Sequence, residues 1–324
     1  MKAGNYQPDA RTFQRRLRHW YDANRRDLPW RKTRDPYRVW LSEIMLQQTR
    51  VNAVLDHYRR FLERFPNIEA LAAAPLASVL AAWSGLGYYR RARMLHQAAQ
   101  NVVQGNGAQF PSTSKELLSL PGIGRYTAAA IASIAFDESI AVVDGNVERV
   151  LDRLLGRKLN QMEVWAEAQS LLPPDRPGDF NQAMMELGAT VCTPRAPQCL
   201  ICPVNELCAT RGEGSFEKKS SKQTKREVHY ALDLRKKRVL LVQRSKDSSL
   251  MPSMWELPEL QPESNGAKIA FTLRHSITVT DYVVRVSHQR FPKSREGKWV
   301  RLEALPDLPL TGLARKILKA AKAM

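Results

Sequence analysis

The sequence predicts a multidomain chain in which an all-α part, residues 1–191, precedes an α+β part, residues 228–324. Three observations carry this. Apolar residues recur at helical spacing from residue 10 to 191, with no convincing β-rich stretch between. All four cysteines then crowd between 192 and 208, followed by "RGEGSFEKKSSKQTKRE" (211–227), a polar, charged segment without apolar periodicity that reads as a linker. Beyond the linker the pattern changes to β-branched and alternating runs.

The helices follow in order. Tyr37 to Gln47 and Arg50 to Phe65 are apolar at helical spacing, and Pro66 stops the second. Pro75 opens "LASVLAAW", and "GLGYYRRARMLHQAAQNVV" carries the next helix. Tyr126–Phe136, Asp144–Leu155, Val164–Leu172 and Phe180–Val191 complete the set, short and closely connected. In the second part "EVHYALDL", "RVLLVQR", "HSITVTDYVVRVSHQRF" and "KWVRLEAL" read as strands, and "GLARKILKAAK" as one helix.

The charge balance narrows the partner. Against 32 acidic residues stand 50 Lys and Arg, a net +18 over 324 residues, which favours a polyanion. Nucleic acid is the first candidate and an anionic membrane surface the second. The chain has no run of 18 uninterrupted apolar residues, which weakens the membrane reading. The first twenty residues lack an apolar signal core, so the expected location is cytoplasmic.

Cysteine spacing is the sharpest chemical signal. Cys192, Cys199, Cys202 and Cys208 are separated by six, two and five residues. Four thiolates suit a [4Fe–4S] cluster or a tetrahedral zinc. Structural zinc sites usually pair two C-x₂₋₄-C knuckles, and only one is present here. Unliganded or disulfide-bonded cysteines are the third reading. Four protein ligands leave no open position, so a metal group here is structural.

"LPGIGRYTA" (120–128) places Gly122 and Gly124 on either side of one aliphatic residue, between two helical runs. In a helix–hairpin–helix such a turn presents backbone N–H groups beside a helix N-terminus, a site that binds phosphate without reading bases. An ordinary αα-hairpin turn is the plainer alternative. Asp144 sits just ahead of a helix, where an N-cap would account for it. Glu43 lies among Trp40, Leu41, Ile44, Met45 and Leu46. A solvated glutamate is the bland account, while an acid with a raised pKa is the chemical one.

Taken together, "LPGIGRYTA", the aspartate in "VVDGNVERV" and the cysteine loop resemble the helix–hairpin–helix (GPD) DNA glycosylase superfamily with an iron–sulfur loop. "WLSEIMLQQTRV", "WSGLGYYRRAR" and "FNQAMMELGATVC" resemble its adenine DNA glycosylase branch, over essentially the whole chain. The resemblance implies an all-α helix–hairpin–helix catalytic domain of two lobes, a [4Fe–4S] loop at 192–210 and a Nudix-like lesion-recognition domain at 228–324. It implies removal of adenine mispaired with 8-oxoguanine or guanine from duplex DNA by a nucleoid-associated monomer that flips the base out of the stack. Glu43 matches the general acid and Asp144 the carboxylate that stabilises the oxocarbenium-like sugar, or captures it covalently, before water attacks. Asn146 and Tyr126 match residues that position these two groups. Arg31, Leu46 and Glu186 match the adenine pocket, and Trp30 lies beside it. Gln48, Thr49, Leu86 and Tyr88 match contacts to the oxidised guanine, although packing at a helix start also accounts for Leu86 and Tyr88.

Two departures stand out. No R-E-x-x-E-E run follows "MWELPELQPES", so nucleotide hydrolysis is not expected of the second domain. Where the family carries a Phe-Ser-His reading loop, this chain has Ile277, Thr278 and Val279, of which Thr278 keeps a hydroxyl. Two other functions compete. An endonuclease III-like enzyme that also cuts the strand needs a lysine amine, and its position falls on Tyr126. A non-catalytic DNA-binding protein is the other, against which the retained Glu43 and Asp144 argue.

Overall fold

The computed structural model describes residues 7–212, 224–260, 268–277, 280–291 and 297–324. Eleven α-helices lie in order through 7–212: α1 (Ala10–Asn24), α2 (Pro36–Leu46), α3 (Val51–Arg64), α4 (Ile68–Ala73), α5 (Leu76–Trp83), α6 (Tyr89–Asn106), α7 (Ser114–Leu117), α8 (Arg125–Phe136), α9 (Gly145–Leu155), α10 (Gln161–Leu171) and α11 (Pro177–Thr190). No strand occurs among the described residues of this stretch, as the apolar spacing predicts. The described residues form two compact units: Met1–Val51 with Asn101–Lys218, and Asn52–Gln100 with Lys219–Met324. This departs from the expected division at 191 and 228, because a helical segment joins the strand-rich part.

In the first unit α11 packs against α1, α8 and α9, and α2 against α8. Its core includes Phe13, Leu17 and Tyr21 of α1, Val150, Leu151 and Leu154 of α9, and Phe180, Met184 and Leu187 of α11. Side-chain caps set where helices begin. Asp35 accepts from the Arg38 N–H at 2.8 Å, and Asn160 and Thr113 each close a reciprocal capping box with a glutamate three residues on. Helix α8 begins at Arg125, one residue before the expected start at Tyr126.

In the second unit the strands are β1 (Thr224–Leu232), β2 (Leu234–Arg235), β3 (Arg238–Gln243), β4 (Trp255–Glu256), β5 (Glu259–Leu260), β6 (Ile269–Ile277), β7 (Thr280–His288) and β8 (Lys298–Arg301), followed by α12 (Gly312–Ala320). One sheet runs β5-β1-β7-β6, and the other is built on β3, which pairs β2, β4 and β8. Strands β1 and β7 pair in parallel over nine residues. Val284 and Val286 of β7, Val239 and Leu241 of β3, and Ile317 and Leu318 of α12 form the core. The part is α+β, as expected. Strand β1 starts inside the expected linker, however: Thr224–Glu227 pair with Thr280–Val283. Thr278 and Val279 lie outside the described residues. No helix of the described residues is long and apolar enough to cross a membrane.

Candidate active site

Helix α2 is apolar on nearly every face, and Tyr37 and Val39 through Met45 are all buried. Such a helix is enclosed on all sides, which carries Glu43 into the interior with it. Glu43 is 6% exposed, and its carboxyl accepts a 2.5 Å hydrogen bond from the Tyr126 hydroxyl. Burial pushes its pKa up to about 7; the Tyr126 bond opposes this, the Asp144 charge adds to it, and Arg31 opposes it. Tyr126 is raised well above its ordinary value, chiefly by burial and then by the Glu43 and Asp144 charges. The phenol thus remains a donor to Glu43. A second contact, Gln47 Nε2 to Thr127 Oγ1 at 3.2 Å, ties the end of α2 to α8.

Asp144 caps α9. Its Oδ1 accepts the N–H groups of Asn146 at 2.9 Å and Val147 at 2.8 Å, and its Oδ2 accepts Asn146 Nδ2 at 2.8 Å. Three donors from a helix N-terminus fix the carboxylate's orientation. Asn146 is itself held, since its Oδ1 accepts Arg149 Nη2 at 2.9 Å. The same guanidinium reaches the carbonyls of Gly188 at 2.7 Å and Cys192 at 2.8 Å. Sequence reading missed Arg149, although Arg149 and Arg153 are spaced four apart on one face of α9, and Arg153 donates to the Thr193 carbonyl at 2.7 Å.

Arg31 and Trp30 lie in a 3₁₀ turn, Pro29–Arg31, and Trp30 is buried. Arg31 Nη2 donates to Glu186 Oε2 at 2.8 Å. Arg26 also binds Glu186, through Nε at 2.8 Å, Nη2 at 2.6 Å and its backbone N–H at 3.1 Å. Glu186 is 1% exposed; burial alone would raise its pKa, but the two guanidinium groups bring it down to about 2. Arg26 had no signal in the sequence beyond a basic run, because its partner is 160 residues away. Leu46 ends α2 half-buried, and Gln48 follows exposed with φ 55°. Thr49 donates through Oγ1 to the Gln47 carbonyl at 3.2 Å.

The glycine turn joins α7 to α8, two helices in contact. Gly122 has φ 77°, a left-handed conformation that favours glycine, while Ile123 is buried and pins the turn. Gly122 and Gly124 are exposed, and a Cβ on Gly124 would meet nothing within 4 Å. The first N–H groups of α8 have no partner within the helix. Arg125 is occupied elsewhere, its guanidinium 3.8 Å from the centroid of Trp165.

Cys192, Cys199, Cys202 and Cys208 line one cavity together with Val150, Leu187 and Arg153. None of the four is paired in a disulfide, which removes that reading. One C-x₂-C knuckle with four sulfurs around one cavity suits a [4Fe–4S] cluster better than the paired knuckles of a structural zinc site. Burial, opposed by the Val204 backbone N–H, pushes the Cys202 thiol up to about 11. The four cysteines would hold an iron–sulfur cluster as thiolates, their protons lost to solvent. Arg153 donates to Cys192 Sγ at 3.3 Å and supplies positive charge beside them.

In the second unit Leu86 is buried, and Tyr88 is 45% exposed with φ 48°. The Arg91 guanidinium lies over the Tyr88 ring at 5.3 Å.

Residues 41–174 match the family described as HhH-GPD superfamily base excision DNA repair protein, and residues 192–208 the iron-sulfur binding domain of endonuclease III. The rat adenine DNA glycosylase is 40% identical over 321 residues, 80% of this chain and 62% of that protein. The adenine DNA glycosylase of Buchnera aphidicola subsp. Baizongia pistaciae is 34% identical over 257 residues, covering 76% of this chain and 73% of its own. The chain belongs to the HhH-GPD superfamily. A solved thermostable thymine-DNA glycosylase, 33% identical with a TM-score of 0.59, covers 62% of this chain and 95% of its own. The HhH-GPD match takes in Glu43, Tyr126, Asp144 and the glycine turn, and the match to the iron-sulfur domain, the segment of the [4Fe–4S] cluster, runs from Cys192 to Cys208. The chain spans 62% of the length of the rat and mouse relatives.

Proposed function

We propose that this chain is a monofunctional adenine DNA glycosylase of base excision repair, acting as a monomer on duplex DNA in which adenine faces 8-oxoguanine or guanine. The observation that carries the reading is Glu43, buried against Tyr126 with its pKa raised to about 7 and electrostatically coupled to Asp144. An acid with that pKa is protonated for a large share of the time at neutral pH and has a proton to give. Glu43 delivers it to N7 of a flipped adenine, the C1′–N9 bond breaks, and neutral adenine leaves. Asp144 stabilises the oxocarbenium-like sugar, held in place by Asn146 and the N-terminus of α9. Water then adds to C1′ and gives its proton to the Glu43 carboxylate, which restores the acid. One acid and one carboxylate divide the work as in glycoside hydrolysis.

The remaining residues are assigned by the same reading. Trp30, Arg31, Leu46 and Glu186 shape the adenine pocket; Gly122 and Gly124 let backbone N–H groups approach a phosphate. Gln48, Thr49, Leu86 and Tyr88 contact the base left opposite the flipped adenine, and Thr278 supplies a hydroxyl to it. Tyr126 stands where a strand-cutting relative needs a lysine, so no Schiff base forms. The +18 charge draws the chain to DNA. The test is adenine release from duplexes carrying A opposite 8-oxoguanine, G, C or T, with borohydride present in a parallel series. Release opposite 8-oxoguanine and G without a trapped adduct is expected. Trapping at high yield overturns the monofunctional reading.

A further inference from the structure

The segment between α5 and α6, Ser84 to Tyr88, is backbone-strained. Gly85 has φ 111°, Gly87 72° and Tyr88 48°, the last unusual for a non-glycine residue. Such a loop keeps its shape only where its surroundings hold it.

Its two ends are held. On one side the His57 ring of α3 lies within 3.2 Å of the Ser84 carbonyl through Nε2 and 2.9 Å of the Ala53 carbonyl through Nδ1. A Cβ on Gly85 would come within 3.0 Å of that ring. On the other side lies the α+β part. Ser84 Oγ and Tyr89 OH each donate to the Leu310 carbonyl at 3.0 Å, and Arg315 Nε of α12 donates to Ser84 Oγ at 2.9 Å. Ser84, Tyr89 and Leu310 are all buried. Buried hydrogen bonds of this kind are costly to leave unmade.

The same helix α12 also meets β6. Lys316 Nζ donates to the Arg274 carbonyl at 2.5 Å, and the His275 ring is 4.0 Å from where a Gly312 Cβ would sit. One helix therefore touches both β6, which leads to residues 278–279, and the base of the Tyr88 loop.

We propose that Ser84, Tyr89 and Arg315 are positioning residues, a clamp through which α12 sets the Tyr88 loop and so helps determine which base that loop accepts opposite adenine. The consequence for base choice rests on the function proposed above; the clamp itself does not.

Two readouts separate the claims. The first is amide exchange at Gly85–Tyr88 in the free, full-length protein, where the Leu86 N–H bonds to the Trp83 carbonyl at 3.2 Å. Ser84→Ala with Tyr89→Phe should raise exchange there roughly tenfold, as expected when a buried carbonyl loses both donors. Tyr89→Phe alone, and Arg315→Gln, should raise it less. Unchanged exchange in folded variants overturns the clamp; should the double variant fail to fold, the single variants decide. The second readout is the ratio of single-turnover adenine release opposite 8-oxoguanine and opposite guanine. The clamp variants should lower this ratio at least about threefold, about 0.65 kcal/mol, and should lower it no further when Tyr88→Ala is present. An equal fall on both backgrounds, or no fall, overturns the effect on base choice. A wild-type chain that releases no adenine overturns the proposed function and leaves the exchange measurement to judge the clamp.

Discussion

Replacing Glu43 with glutamine should stabilise the protein above neutral pH while abolishing its chemistry. The side chain is 6% exposed, and its pKa of about 7 exceeds the ordinary 4.5 of a glutamate. That gap is worth about 3 kcal/mol. Because the folded value is the higher one, the native state holds the proton more tightly than the unfolded chain. Glu43 therefore contributes fully below pH 4.5, and its contribution is lost as pH rises through about 7. Glutamine has the same shape, can accept from Tyr126 and does not titrate. The stability difference, variant minus wild type, should grow by about 3 kcal/mol between pH 4.5 and 8, on the order of 5 °C or more in Tm. Melting curves for both proteins across that range measure it. A difference that stays flat refutes the account of Glu43 as a carboxyl kept protonated by burial.

Tyr126→Phe removes the bond that lowers the Glu43 pKa, so the alkaline limb of the kcat/KM profile should move to higher pH; movement to lower pH contradicts the geometry. Glu186→Gln breaks the contacts to Arg26 and Arg31 and should cost about 2–3 kcal/mol at pH 7, moderated by the 39% exposure of the Arg26 side chain. The Glu186 pKa is depressed to about 2, so this cost should shrink as pH falls from about 4.5 toward 2, read by denaturant unfolding. If the four cysteines lining one cavity are the cluster ligands, Cys202→Ala should abolish the visible absorbance of the cluster and lower Tm, whereas Glu43→Gln should leave the absorbance intact.

Much of the helical part was legible because each helix buries one stripe or is buried whole. The apolar enclosure of Glu43 and the capping position of Asp144 are local features, visible in α2 and just ahead of α9. What the residues alone left open was decided by distant partners. Glu186 becomes a buttress only through Arg26 and Arg31, 160 and 155 positions away. Thr224–Glu227 are exposed, polar and charged and look like linker, yet they extend a parallel pairing with β7 that no local pattern reveals. Short α4 and α7 contain too few turns to show a period. Helix α8 starts at Arg125 because Gly124 is its cap, and the same arrangement sends that arginine onto Trp165.

The central claim is that Glu43 is the acid that releases adenine. Single-turnover adenine release from a duplex with A opposite 8-oxoguanine, wild type against Glu43→Gln at matched duplex occupancy, tests it directly. The account predicts release by the wild type, falling as pH rises above about 7, and none above background from a variant that still binds the duplex. Release by Glu43→Gln at the wild-type rate would contradict it.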